Sequence, residues 1–107
     1  MDVDVAASKL EALGNPTRLL VYRALVRAGD PGLSVGQLLT QLGVPASTLS
    51  HHIKTLMMVG LMSQERRSTS LICRANYGAM QSLLDYLVAE CCADATCNIA
   101  PAQVETK

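Results

Sequence analysis

A mostly α-helical domain carrying one small β-hairpin is the fold class this sequence predicts, on three observations. Half of its 107 residues are hydrophobic, yet Phe and Trp are absent and only three Tyr occur. Leu, Val, Ala and Met must therefore fill the interior, which suits helix-on-helix packing. Apolar residues recur at helical spacing in several short segments, most of them bounded by Gly or Pro. Only Leu61 to Ala75 reads otherwise, as two short strands joined near Arg67-Ser68-Thr69. A chain of this length buries a single core as one domain.

The first segment, Val5 to Leu13, sets Ala6, Leu10 and Leu13 on one helical face. Gly14-Asn15 interrupts it, and Pro16 suits the first turn of a second helix running to Ala28. Leu19, Leu20, Ala24 and Leu25 are the expected buried side of that helix, with Arg18 and Arg27 toward solvent. Gly29-Asp30-Pro31-Gly32 is a loop. Ser34 followed by Gln37 has the form of a capping box and opens a short helix through Leu42. Gly43-Val44-Pro45 then turns into a helix that begins at Ala46 or Ser47 and ends at Gly60. Two short helices joined by a Gly-containing turn make a helix-turn-helix, and the hairpin after them makes a wing. A last helix, Tyr77 to Ala93, aligns Tyr77, Met80, Leu84, Leu87, Val88 and Cys91. A lone chain would expose the stripes of its first and last helices, so a homodimer is expected through Ala6, Leu10, Leu13, Met80, Leu84 and Leu87.

The formal net charge is zero, which taken whole argues against a nucleic-acid partner. Its distribution argues for one. Residues 51–74 hold Lys54, Arg66, Arg67 and Arg74 against Glu65 alone, a net +3. Residues 75–107 hold Lys107 against Asp85, Glu90, Asp94 and Glu105, a net −3, so one basic surface is expected on a neutral molecule.

The second helix of the motif has two faces. Leu49, Ile53, Leu56 and Met57 group on one side, with His52 at the edge. Ser47, Ser50, His51 and Lys54 group opposite, where small hydroxyls, an imidazole and an ammonium suit base edges and phosphates in a major groove. Arg66 and Arg67 fall at the hairpin tip, where a wing reaches phosphates or the minor groove. The expected DNA-contacting set is Ser47, Thr48, Ser50, His51, Lys54, Arg66 and Arg67, and the expected partner is double-stranded operator DNA. An ordinary surface helix shows a similar face, and an arginine pair at a turn is often merely solvated. Their succession is what favours DNA. His51-His52 makes a poor metal pair, since adjacent helical positions diverge by about 100°.

Three stretches resemble the ArsR/SmtB family of bacterial metal-responsive repressors: Leu13-Gly14-Asn15-Pro16-Thr17-Arg18, Leu33 to Leu42, and Ser47-Thr48-Leu49-Ser50-His51-His52-Ile53-Lys54-Thr55-Leu56 followed by Gly60-Leu61. The resemblance spans residues 5–90 and implies a winged-helix dimer joined through its first and last helices. Such proteins bind operator DNA when free of inducer and leave it when a metal or metalloid binds. Two of the family's inducer sites are missing. Ser34-Val35-Gly36 stands where arsenic-sensing members often carry Cys-Val-Cys, and the last helix offers Asp85 and Glu90 but no His for the zinc type. What remains is Cys91-Cys92-Ala93-Asp94-Ala95-Thr96-Cys97. Some members sense trivalent arsenic or antimony with such a C-terminal cluster, so the resemblance implies As(III) or Sb(III) as inducer at Cys91, Cys92 and Cys97, with no organic cofactor. Thiolate sulfur is the matching soft ligand.

Residues 1–97 are thus expected to form the DNA-binding and dimerisation domain with the inducer site at its end, and 98–107 a flexible tail. The acidic start Met1-Asp2-Val3-Asp4 is unlike a signal peptide and no run is long and apolar enough to span a membrane, so a cytoplasmic protein with reduced thiols is expected. Cys73, between Ile72 and Arg74, reads as a packing residue. An alternative keeps the fold and switches it by thiol oxidation or persulfidation, for which a Cys92–Cys97 disulfide is feasible. A small thiol reductase is the alternative of another class. It needs a thiol of depressed pKa, whereas these sit at a predicted helix C-terminus among Glu90 and Asp94, which opposes thiolate formation, so no enzyme is expected. A pure protein-interaction module would need neither the polar face nor the wing.

Overall fold

The Asp2 side chain accepts the Val5 N–H at 2.8 Å and starts α1 (Val3–Leu13) two residues before the periodicity suggests. Asn15 caps α2 (Pro16–Ala28) by accepting the Arg18 N–H at 2.9 Å, with Pro16 in the first turn. Both bonds of the capping box form at the start of α3 (Val35–Leu42): Gln37 N–H donates to Ser34 Oγ at 3.1 Å, and Ser34 N–H to Gln37 Oε1 at 2.8 Å. Gly43, left-handed at φ 66°, turns the chain toward α4 (Ala46–Met58). The strands β2 (Met62–Arg67) and β3 (Ser70–Ala75) form the hairpin, and Asn76 caps α5 (Tyr77–Val88). This computed structural model describes residues 1–95; Cys97 and the tail expected over 98–107 lie outside them.

The sequence reading lacks one strand. Leu33–Ser34, here β1, pairs antiparallel with β3 (Leu33 opposite Cys73, Ser34 opposite Ile72), giving a three-stranded sheet in the order β1-β3-β2. A two-residue strand carries too little pattern to be read. Gly32 brings the loop against β3: it lies at φ +70°, and a Cβ there would stand 2.5 Å from the Cys73 carbonyl oxygen. Arg74 Nε donates to the Asp30 carbonyl at 2.7 Å and holds the same loop.

Val21, Leu25, Leu38, Leu49, Leu56, Leu61 and Cys73 form the fully buried centre between helices and sheet. Cys73 is the packing residue expected; Gln64 Nε2 donates to its Sγ at 3.4 Å, and burial pushes its thiol pKa up. The buried face of α2 is Val21, Tyr22 and Leu25 rather than one including Leu19 and Leu20, which are exposed. The run Leu19-Leu20-Val21-Tyr22 offers several apolar faces, and packing on α4 and β3 selects the later one.

The last helix ends at Val88, short of Ala93, and residues 91–95 are in turns. Leu83 is its one buried residue, and Leu84, Leu87 and Val88 after it are exposed. Cys91 therefore lies past the apolar stripe expected to include it. On the terminal helices Ala6 is buried within the chain, while Leu13 and Met80 pack against the core. Of the six residues expected at a dimer interface, Leu10, Leu84 and Leu87 stay exposed, joined by Val3 and Val88. Among the described residues no helix is long and apolar enough to cross a membrane.

Candidate nucleic-acid interface

The helix α4 buries Leu49, His52, Ile53 and Leu56 and exposes Ser47, Ser50, His51 and Lys54, with Thr48 partly buried. Two positions differ from the sequence reading: Met57, expected inside, is 40% exposed, and His52, expected at the edge, is 6% exposed. The imidazole of His52 explains the surprise at Arg18. That guanidinium, expected in solvent, is partly buried, its Nε donating to His52 Nδ1 at 3.3 Å and its Nη1 to the Ala12 carbonyl at 3.0 Å. Burial first, then the charge of Arg18 and that of His51, lowers the His52 pKa below its ordinary value. The neutral ring is also the one whose Nδ1 can accept.

A second cation braces α4 from behind. Lys9 of α1, 9% exposed, donates from Nζ to the Val59 carbonyl at the end of α4, where a positive charge complements the helix dipole. Arg18, His52 and Lys9 thus tie α4 to α1 and α2. None of the three stood out in the sequence; the only signal was His52 at the rim of an apolar stripe.

The hairpin separates two arginines that sequence reasoning treats as a pair. Successive strand residues point to opposite faces. Arg67 Nε pairs with Glu65 Oε2 at 3.3 Å, and Arg74 Nη1 pairs with Glu65 Oε1 at 2.7 Å. The Arg74 hydrogen bond, then that of Arg67, holds the Glu65 carboxyl below its usual pKa. Arg66 faces the other way, into a cleft against α4 that it lines with Ser50 and Lys54. Among the described residues both ion pairs involve Glu65, leaving Lys54 and Arg66 without a carboxylate. The hairpin turn places Ser68 in the left-handed region at φ 58°.

At the other end of the molecule, Cys91 and Cys92 follow α5 with their Sγ atoms 3.6 Å apart. Cys92 is disulfide-bonded, and Cys97 lies outside the described residues. Among the described residues no group of three His, Cys, Asp or Glu could hold a metal ion.

Comparison with known proteins agrees with this architecture. Residues 13–65 match the helix-turn-helix domain family. The nodulation protein NolR of Rhizobium meliloti is 31% identical over 86 residues, covering 80% of this chain and 68% of NolR. The HTH-type transcriptional regulator YgaV of Escherichia coli is 30% identical over 79 residues, covering 74% of this chain and 78% of YgaV. The solution structure of Mb0332 from Mycobacterium bovis is a homodimeric winged helix-turn-helix DNA-binding domain described as a possible ArsR-family regulator. It superposes with a TM-score of 0.67 at 26% identity, covering 82% of this chain and 81% of Mb0332. A helix-turn-helix with a polar outer face, a wing beside it and this set of relatives together make the chain a DNA-binding transcriptional regulator of the ArsR family.

Proposed function

We propose that the protein is a homodimeric repressor that reads operator DNA with α4 and grips it with the wing, and that trivalent arsenic or antimony releases it through Cys91, Cys92 and Cys97. The observation that carries the DNA-binding half is the cleft-side arrangement of Ser50, Lys54 and Arg66, with no carboxylate among its lining residues. Ser47, Thr48, Ser50 and His51 meet base edges; Lys54 and Arg66 meet phosphates. Arg67 contributes less, because it first has to leave Glu65. The homodimer uses the exposed Leu10, Leu84, Leu87 and Val88. It is also the form in which Mb0332 was solved.

The inducer rests on the chemistry of the thiols. Two sulfurs 3.6 Å apart can both stand at about 2.3 Å, an ordinary metal–thiolate distance, from one ion. A soft trivalent ion would hold such thiolates once they are reduced, with Cys97 as the third. Because the cluster directly follows α5, drawing its sulfurs together pulls on the end of a dimer helix and alters the spacing of the two reading helices. A dimer matched to half-sites at fixed separation then loses contacts in both. A coupling of about 1–3 kcal/mol is typical of such linkage.

A second reading, release by thiol oxidation, is favoured by the disulfide at Cys92. Gel shifts with promoter DNA separate the two. Arsenite releases the reduced protein and zinc does not, and Cys91→Ser, Cys92→Ser and Cys97→Ser bind DNA yet ignore arsenite, while Cys73→Ser still responds. Release by peroxide alone selects oxidation. Arsenite release that survives loss of Cys91 and Cys92 together refutes the cluster as sensor.

A further inference from the structure

The cleft between α4 and the wing carries an apolar patch beside the polar groups assigned to DNA. Met57 and Met58, on the last turn of α4, are 40% and 77% exposed. Both line the cleft between α4 and the wing, together with Ile53 and Leu71. Phosphates reward charges and base edges chiefly reward donors and acceptors, whereas thioether side chains are flexible and apolar and adapt to apolar guests. Dimerisation does not claim them, since the exposed stripe lies on α1 and α5.

We propose that this cleft is a binding site for a small carboxylate with an apolar tail, and that such a ligand competes with DNA. Its volume of about 870 Å³ lies in the range of small-molecule sites. The lining supplies both halves of the recognition. Lys54 and Arg66 present an ammonium and a guanidinium, and none of the thirteen lining residues is acidic. Ser34, Val35 and Gly36, the cap and first turn of α3, line the same cleft, and the opening amides of a helix favour an anion. Ile53, Met57, Met58 and Leu71 supply apolar wall for the tail. DNA offers the charge without the tail, so the methionines distinguish the two ligands.

The test uses the full chain, labelled at its methionine methyl groups, and three probes: octanoate, acetate as the head alone, and octanol as the tail alone. Octanoate shifts the Met57 and Met58 signals and leaves that of Met80 in place. Acetate and octanol at the same concentration shift neither. In a second arm octanoate displaces a fluorescent promoter duplex, and acetate at equal ionic strength does not. Met57→Gln with Met58→Gln weakens octanoate about tenfold while DNA affinity stays within about twofold, because a buried tail loses apolar contact and DNA does not. Only the displacement arm rests on the DNA-binding reading; a chain that binds no duplex still reports octanoate through its methyl signals. Equal competition by acetate, or octanoate affinity unchanged in the double variant, overturns the proposal.

Discussion

Replacing His52 by Leu tests whether the buried imidazole is part of the brace behind α4. The ring is 6% exposed and accepts one hydrogen bond from Arg18 at 3.3 Å, while Arg18 keeps its bond to the Ala12 carbonyl. A hydrogen bond involving a charged group contributes about 1.5–3 kcal/mol net, and this one is at the long end of the range. Leu regains part of the loss by burial, so the expected cost is about 1 kcal/mol, or about 4–8 °C in Tm for a domain of this size. The pH dependence gives a sharper readout. His52 has a lowered pKa in the fold, so the unfolded chain takes the proton more readily. The stability that neutral His52 contributes is present above the ordinary imidazole pKa and is lost as pH falls through the folded value. Circular-dichroism melts at fixed protomer concentration, run at pH about 7.5 and about 5, should show the Tm gap between parent and His52→Leu closing toward acid. Equal gaps at both pH values would refute the assignment of His52 as a neutral acceptor.

Gly32→Ala forces a Cβ to 2.5 Å from the Cys73 carbonyl at φ +70° and should cost more than about 2 kcal/mol in urea unfolding, with the β1–β3 pairing the first element lost. Leu84→Glu places a charge on the exposed face of α5, where Leu84 is 49% exposed, and should leave a folded monomer by light scattering at micromolar concentration. An unchanged dimer would move the interface away from α5. Ser50→Ala and His51→Ala should each relax sequence preference, by about 1–3 kcal/mol where a base edge is contacted, as read by competition between duplexes altered one base pair at a time.

The outer face of α4 was legible in the sequence because one helical period separates Ser47, Ser50, His51 and Lys54 from Leu49, Ile53 and Leu56. The capping box at Ser34 and Gln37 was legible for the same reason: its signal is local. The rest is tertiary. Which of Arg66 and Arg67 faces α4 depends on the hairpin register, Arg66 opposite Leu71 and Arg67 opposite Ser70, that no residue of the turn specifies. Leu19 and Leu20 satisfy a helical stripe as well as Val21 and Tyr22 do, and only the packing of α2 on α4 and β3 decides between them. The end of α5 carries neither Gly nor Pro, so its stop at Val88 has no local breaker to announce it. Lys9 and Arg18 look like surface cations until the carbonyls of Val59 and Ala12 are brought to them.

The salt dependence of promoter binding by Arg66→Ala and Arg67→Ala tests most directly whether the α4–wing surface grips DNA. Each phosphate contact contributes about 0.9 to the slope of log affinity against log salt. Arg66 faces the α4 cleft with no carboxylate partner among the described residues, whereas Arg67 is paired with Glu65 at 3.3 Å. Fluorescence anisotropy over a range of salt should therefore show Arg66→Ala flattening the slope by about one unit and weakening all duplexes alike, with Arg67→Ala changing it less. Should Arg66→Ala leave both slope and affinity as they were, the wing does not contact the backbone and the interface lies elsewhere.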